Sequence, residues 1–215
     1  MASREYRAIL GYRLMIPMFF DDQFCNGCNK VMMDEWGDHA VHCKSDPGIK
    51  HRHDVVRDGL YDILRRAGIA SKKEASLGFN DERSSVVLRP ADVLVYNWLN
   101  GKHTCVDLTC CSPLVGFVDG YFDKDKGLRN MVRKKYDKHD KACQDGGFEF
   151  LPFGFTSFGC LCEEAIDFMT RVEKVAHSHL VCYKSTKFVF HRLGFLIQKG
   201  IAAQIVSRLP VNFVN

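Results

Sequence analysis

Val55, Val56, Leu60, Ile63, Leu64 and Ala67 recur at steps of three and four residues. That spacing is the apolar stripe of an amphipathic helix, opening near His51 and stopped by Gly68. Three strand-like runs follow, Ala70 to Phe79, Val86 to Trp98 and His103 to Cys111. Asn80 to Ser85 reads as a loop, and Asn97 to Lys102, with Asn100-Gly101 at its centre, as a hairpin turn. A second amphipathic helix is expected over Lys126 to Gln144, then a very apolar strand from Phe148 to Thr156. Two helical patterns follow, Glu163 to His179 and Lys187 to Arg208, and a short helix, Glu5 to Tyr12, precedes everything. Helix, three strands, helix, strand and closing helices predict an α/β fold with a mixed, mostly buried central sheet.

Residues 21 to 50 break this periodicity and carry a different signal. Cys25 and Cys28 form a C-x2-C turn, His39 follows after ten residues, and Cys43 after three more. Such a turn holds two sulfurs on one side of a metal, and an H-x3-C pair closes a tetrahedron. Gly27 suits the tight backbone turn. Four ligands leave no open position, so a structural Zn²⁺ is expected, with His42 as a competitor for the place of Cys43. A small zinc knuckle over residues 1–50 thus precedes a core domain over 51–215.

Composition narrows the setting. In 215 residues, 46% hydrophobic and 26% charged is the balance of a globular protein, and the net charge of +4 is too mild to imply nucleic-acid binding unaided. The longest apolar run, Leu14 to Phe20, is broken by Pro17 and is far short of the ~20 residues of a membrane span. The start, Met1 to Arg7, has no apolar leader, so a reducing nuclear or cytoplasmic setting is expected and the cysteines are read as metal ligands before disulfides. Cys105, Cys110, Cys111, Cys160, Cys162 and Cys182 read as small buried side chains.

Carboxylates supply the second candidate site. Arg89-Pro90-Ala91-Asp92 leads into one strand, and the next carries Asp107 within Val106-Asp107-Leu108-Thr109. A carboxylate in a buried strand is costly unless paired or bound to a cation. Glu74, on the preceding strand, can add a third, and together they would suit Mg²⁺ or Mn²⁺.

From about Cys25 to Pro210, the order of these motifs resembles the restriction-like endonuclease domain at the C-terminus of R2-type non-LTR retrotransposons. It is closest to stand-alone plant and fungal reading frames of that kind, often labelled reverse-transcriptase-like. The matching pieces are the Cys25, Cys28, His39, Cys43 knuckle; Arg52-His53-Asp54; Glu74; Arg89-Pro90-Ala91-Asp92; and Val106-Asp107-Leu108-Thr109. The resemblance implies a PD-(D/E)xK restriction-endonuclease-like core and metal-dependent hydrolysis of DNA phosphodiesters. Asp92 and Asp107 would ligate the metal and Glu74 would assist.

Three departures stand out. Asp54 occupies a place where the family commonly has Asn, Ala91 separates proline from aspartate, and Thr109 stands where the general motif has lysine. Retrotransposon members take that lysine from the following helix. Here Leu128, Met131, Val132, Lys135, Lys138 or His139, and Ala142 form one stripe, which selects Lys135 and turns Lys134 away. Lys44, Lys50, Arg52, His53 and Arg57, and on the later helix Arg129, Arg133 and Lys134, are expected at the DNA backbone. Only 24 residues precede Cys25, and these 215 residues hold no polymerase domain, so a domesticated nuclease, a fragment or a decayed copy is expected. Thr109 also favours an alternative, a nuclease fold whose catalysis has lapsed and which binds DNA or a protein.

Overall fold

The computed structural model describes residues 1–19, 23–79, 87–114, 123, 125–179 and 185–210. The loop expected at Asn80 to Ser85, and Cys182, lie outside the described residues. The helices are α1 (Ser3–Arg13), α2 (Asp38–His42), α3 (Ile49–Arg66), α4 (Lys126–Asp145), α5 (Glu163–His179) and α6 (Ser185–Val206). The strands are β1 (Ser71–Lys73), β2 (Val93–Leu99), β3 (Lys102–Cys111) and β4 (Glu149–Thr156). The protein is mixed α/β, with a four-stranded sheet in the order β1-β2-β3-β4. β1 and β2, and β2 and β3, pair antiparallel, whereas β3 and β4 pair parallel.

Two strands are shorter than the apolar pattern predicts. β1 stops at Lys73 because Glu74 adopts a left-handed φ of 46°, outside the extended region. β2 starts only at Val93, past Pro90, whose ring removes a ladder donor. The hairpin turn is as expected: Asn100 and Gly101 have φ of 51° and 73°, the left-handed pair that a two-residue turn demands.

By backbone contacts the chain forms two units. One comprises residues 57–156 and 160–193 and contains the sheet. Its α4 crosses between β3 and β4, the connection that parallel neighbours require. On the α4 face, β3 and β4 register places Cys105 beside Phe150, Asp107 beside Pro152 and Thr109 beside Gly154. A Cβ at Gly154 would stand 3.0 Å from both Leu128 and Val132, so the missing side chain is what lets α4 approach. Pro152 is tolerated because β4 is an edge strand. On the opposite face, Phe168 of α5 meets Phe153 edge-on, with ring centroids 6.0 Å apart. The sheet is therefore covered on both sides, and β4 is buried from Phe150 to Thr156.

The other unit comprises residues 1–56, 157–159 and 194–215. Among its described residues, Ala8, Ile9, Tyr12, Met18, Val41, Ile197, Ile201 and Ile205 are buried, so helices from both ends of the chain supply one core. Tyr12 also stacks on Phe158 with centroids 5.3 Å apart. No helix among the described residues is long and apolar enough to cross a membrane.

Candidate metal centre and acidic site

A bridge between Phe24 and Met32 closes a tight hairpin around the first two cysteines. The Cys25 amide donates to the Val31 carbonyl at 2.9 Å, and the left-handed residue of the turn is Asn29, with φ 51°. Gly27 does not supply that conformation; its missing Cβ instead leaves room for the guanidinium of Arg208. The second ligand pair sits on α2. Asp34 fixes the start of this helix, accepting from the amides of Asp38 at 2.8 Å and His39 at 2.7 Å. His42 does not compete for the metal position, because its Nδ1 lies 2.7 Å from the Asp38 carbonyl.

Cys25, Cys28, His39 and Cys43 bring one ligand atom each to within 4.8 Å of one another. Two zinc-bound sulfurs at Zn–S of about 2.3 Å stand about 3.8 Å apart at tetrahedral angles. Cys25 Sγ and Cys43 Sγ are 3.8 Å apart, and Cys28 Sγ lies 3.4 Å from His39 Nε2. This Cys3His set fits a tetrahedral zinc ion and could hold one. Burial raises the Cys25 thiol. Burial acts the same way on Cys43, but hydrogen bonding from Arg208 and Ser45 outweighs it and brings that thiol down to about 6. A thiol that ionises readily favours a metal, since the thiolate is the ligand.

The acidic site is built on β3 and α4. Asp107 is 3% exposed, and its Oδ2 lies 2.8 Å from Lys135 Nζ and 3.5 Å from His139 Nε2. Burial and the charge of Asp92 push the Asp107 carboxyl from the ordinary 3.8 up to about 7, against the pull of Lys135. Asp92, just before β2, accepts a 2.7 Å bond from the Leu108 amide, which ties the two carboxylate-bearing segments together. His139 is buried and its Nδ1 has no partner among the described residues. Burial, then the charges of Lys138 and Lys135, depress it to about 4, so the ring is neutral at pH 7. It answers the open choice on the helical stripe: His139 faces the sheet, and Lys138 is exposed. Lys134 is exposed too, beside the inward Lys135.

Glu74 goes elsewhere. Its carboxylate pairs with Arg57, its side chain is 66% exposed, and only its backbone meets the site, donating to the Asp92 carbonyl at 2.9 Å. Among the described residues the only group of three or more candidate ligands is the Cys3His set, so Glu74, Asp92 and Asp107 do not assemble a three-carboxylate cluster.

No protein-family model matches the chain, and no curated protein matches it.

The basic residues divide. Arg133, Lys134 and Arg129 lie on α4, the first two exposed and Arg129 paired with Asp123. Lys50 and His53 pair with Asp54 at 2.7 Å and 3.4 Å. Arg52, expected at a DNA backbone, is turned inward at 2% exposure, donating to the Val41 carbonyl at 3.2 Å. Arg57 is likewise largely buried and engaged by Asp58 and Glu74. Both are corrections to the expected contact surface: on α3 these long side chains pack inside and meet oxygen partners there. Of the thiols expected inside, Cys105 and Cys162 are buried, Cys110 and Cys111 half-buried, and Cys160 exposed.

The signals for the missed residues were partial. His139 lay on the stripe but shared it with Lys138. Asp34 stands four residues before the first helical residue, a position with no capping signature of its own. Arg208 carried no local signal at all.

Proposed function

We propose that this chain is a metal-dependent DNA endonuclease with a PD-(D/E)xK-type core. The observation that carries the reading is the Lys135–Asp107 contact of 2.8 Å, made by a lysine from the crossover helix rather than from the third strand. The element order supports it: a helix, three antiparallel strands, a crossover helix and a parallel strand. Asp92 and Asp107 would hold Mg²⁺ or Mn²⁺, which would supply charge stabilisation at the phosphodiester and a more acidic attacking water. Asp107 is poised for such a partner because burial disfavours its bare charge. Lys135, held beside Asp107, would offer a cation to the transferring phosphate. His139, neutral, backs Asp107 from the helix and holds its carboxylate in place. The exposed Arg133 and Lys134 would meet the DNA backbone and set its register.

Lys135→Ala is expected to lower Mn²⁺-dependent nicking by about 10²-fold or more, the size of one lost transition-state donor. Lys134→Ala should leave single-turnover chemistry nearly unchanged. Matched losses in the two variants would mean backbone contact alone. At limiting Mn²⁺, the cleavage rate is expected to rise with pH through about 7, because the metal competes with the proton on Asp107. A flat profile between pH 5 and 8 would refute this.

The linkage has a definite sign. Without a divalent ion, the folded chain retains a proton on Asp107 between about pH 4 and 7 that the unfolded chain releases. The stability contributed by this group is full below that window and lost as pH rises through it. The thermal gain from added Mn²⁺ should therefore be larger at pH 8 than at pH 5.

A second reading is a lapsed nuclease fold that binds DNA or a protein, favoured by the buried Thr109 on β3. Wild type incubated with supercoiled and branched DNA in Mn²⁺ separates the two. No cutting of either substrate, with no thermal shift from Mn²⁺, selects the binding module.

A further inference from the structure

Among the described residues Arg208 is the largest fully buried side chain, at 1% exposure. Its Nη1 donates to the carbonyls of Pro47 at 2.6 Å and Gln204 at 3.0 Å and to the Ser207 hydroxyl. Its Nη2 donates to the Ser45 carbonyl at 2.6 Å. Every oxygen it meets is neutral, and among the described residues no carboxylate pairs with it. A buried guanidinium is costly unless an anion faces it. The group also lies against Gly27, between the first two cysteine ligands, where a Cβ would stand 3.0 Å from Nη2, and it bonds the chain leaving Cys43 at Ser45. The ligand set thus borders the guanidinium and can supply its anion. Three thiolates, one neutral imidazole and Zn²⁺ sum to a single negative charge, opposite and equal to that of the guanidinium.

We propose that Arg208 is the counter-charge of the Cys25–Cys28–His39–Cys43 centre, so that metal loading fastens the chain after α6 onto the knuckle. A loaded centre holds all three sulfurs as thiolates beside the buried cation, so it balances that charge more fully than an empty one does. Because Ser45 and Pro47 follow Cys43 directly, the same guanidinium also sets the course of the chain leaving the last ligand. This inference does not depend on the nuclease reading.

The test competes the zinc-loaded chain against a chelator and titrates the stripped chain with Co²⁺. Arg208→Met is expected to weaken metal binding about 10- to 100-fold, as loss of a group supporting a ligand does. Arg208→Lys should recover part of that loss. Melting separates charge balance from simple packing: Arg208→Met removes the same hydrogen bonds from both forms, so it should lower the Tm of the loaded chain by clearly more than that of the stripped chain. An equal drop in both, with unchanged metal affinity, overturns the proposal, as does a wild type that binds neither ion. Should the stripped chain show no transition, the Co²⁺ titration alone decides. Should Arg208→Met fail to fold, two other measurements decide. Gly27→Ala, which crowds the guanidinium but keeps every ligand, should also weaken Co²⁺ binding. In wild type, chelation should speed hydrogen exchange at residues 204–209, and protection unchanged by chelation refutes the coupling.

Discussion

Cys28→Ser should leave the chain without bound zinc and without a folded knuckle. Cys28 Sγ stands 3.4 Å from His39 Nε2, so this pair joins the first hairpin to α2. A serine hydroxyl does not ionise near neutral pH and is a poor zinc ligand, so the tetrahedron loses a corner. Structural zinc contributes about 10–16 kcal/mol of apparent binding free energy in small zinc modules, and that energy is folding energy. Losing even ~3 kcal/mol of it would lower a melting transition by about 10 °C in a chain of this size. Elemental analysis should find one zinc per wild-type chain and far less in the variant, with exchange protection lost over residues 24–43. A wild type carrying well under one zinc, or a variant that retains it, would refute the structural role.

Asp107→Asn is the second large effect, and it should fall on activity rather than on the fold. The amide keeps the shape and removes a buried charge whose ionisation the protein already resists. Stability should therefore change little, or rise at high pH, where the wild-type carboxylate is ionised at a cost. Cleavage should fall by about three orders of magnitude, equal to several kcal/mol of lost electrostatic stabilisation. Asp92→Asn should cost a similar factor in rate. It should also loosen β3, because Asp92 accepts the Leu108 amide. Supercoiled DNA nicking with Mn²⁺, beside thermal melts of each variant, measures both. Full activity in Asp107→Asn would remove this carboxylate from the mechanism.

The elements and ligands that follow from local spacing were legible in the sequence. α4 was visible as a stripe; the family resemblance pointed to a lysine on this helix, and the periodicity chose Lys135, one helical turn from His139. The four residues of the Cys3His set were visible because C-x2-C and H-x3-C describe short-range geometry. What escaped depended on partners distant along the chain. Arg52 looks like a surface base within α3, and what turns it inward is Val41, together with Gly200, whose place a Cβ would take at 3.1 Å from the arginine. Glu74 looked like a ligand on a strand, until a left-handed backbone ended the strand and Arg57 took the carboxylate. Thr109 marked a missing lysine, but only the fold could show a helix lysine meeting Asp107.

The unit that contains the knuckle has a consequence for the order of events during synthesis. Its last ligand is Cys43, yet the side chain that bonds just beyond it is separated from Pro47 by 161 positions and from Ser45 by 163. A knuckle that captures metal as it emerges must wait for the 161 positions after Pro47 before Arg208 can join it. Closing so long a loop costs only about 0.6 kcal/mol more per doubling of its length, so the penalty is chiefly one of time. Until then, an anionic centre stands without its cation and with part of its core still unmade. A nascent chain paused just short of residue 208 should accordingly surrender its zinc to a chelator faster than the finished protein does.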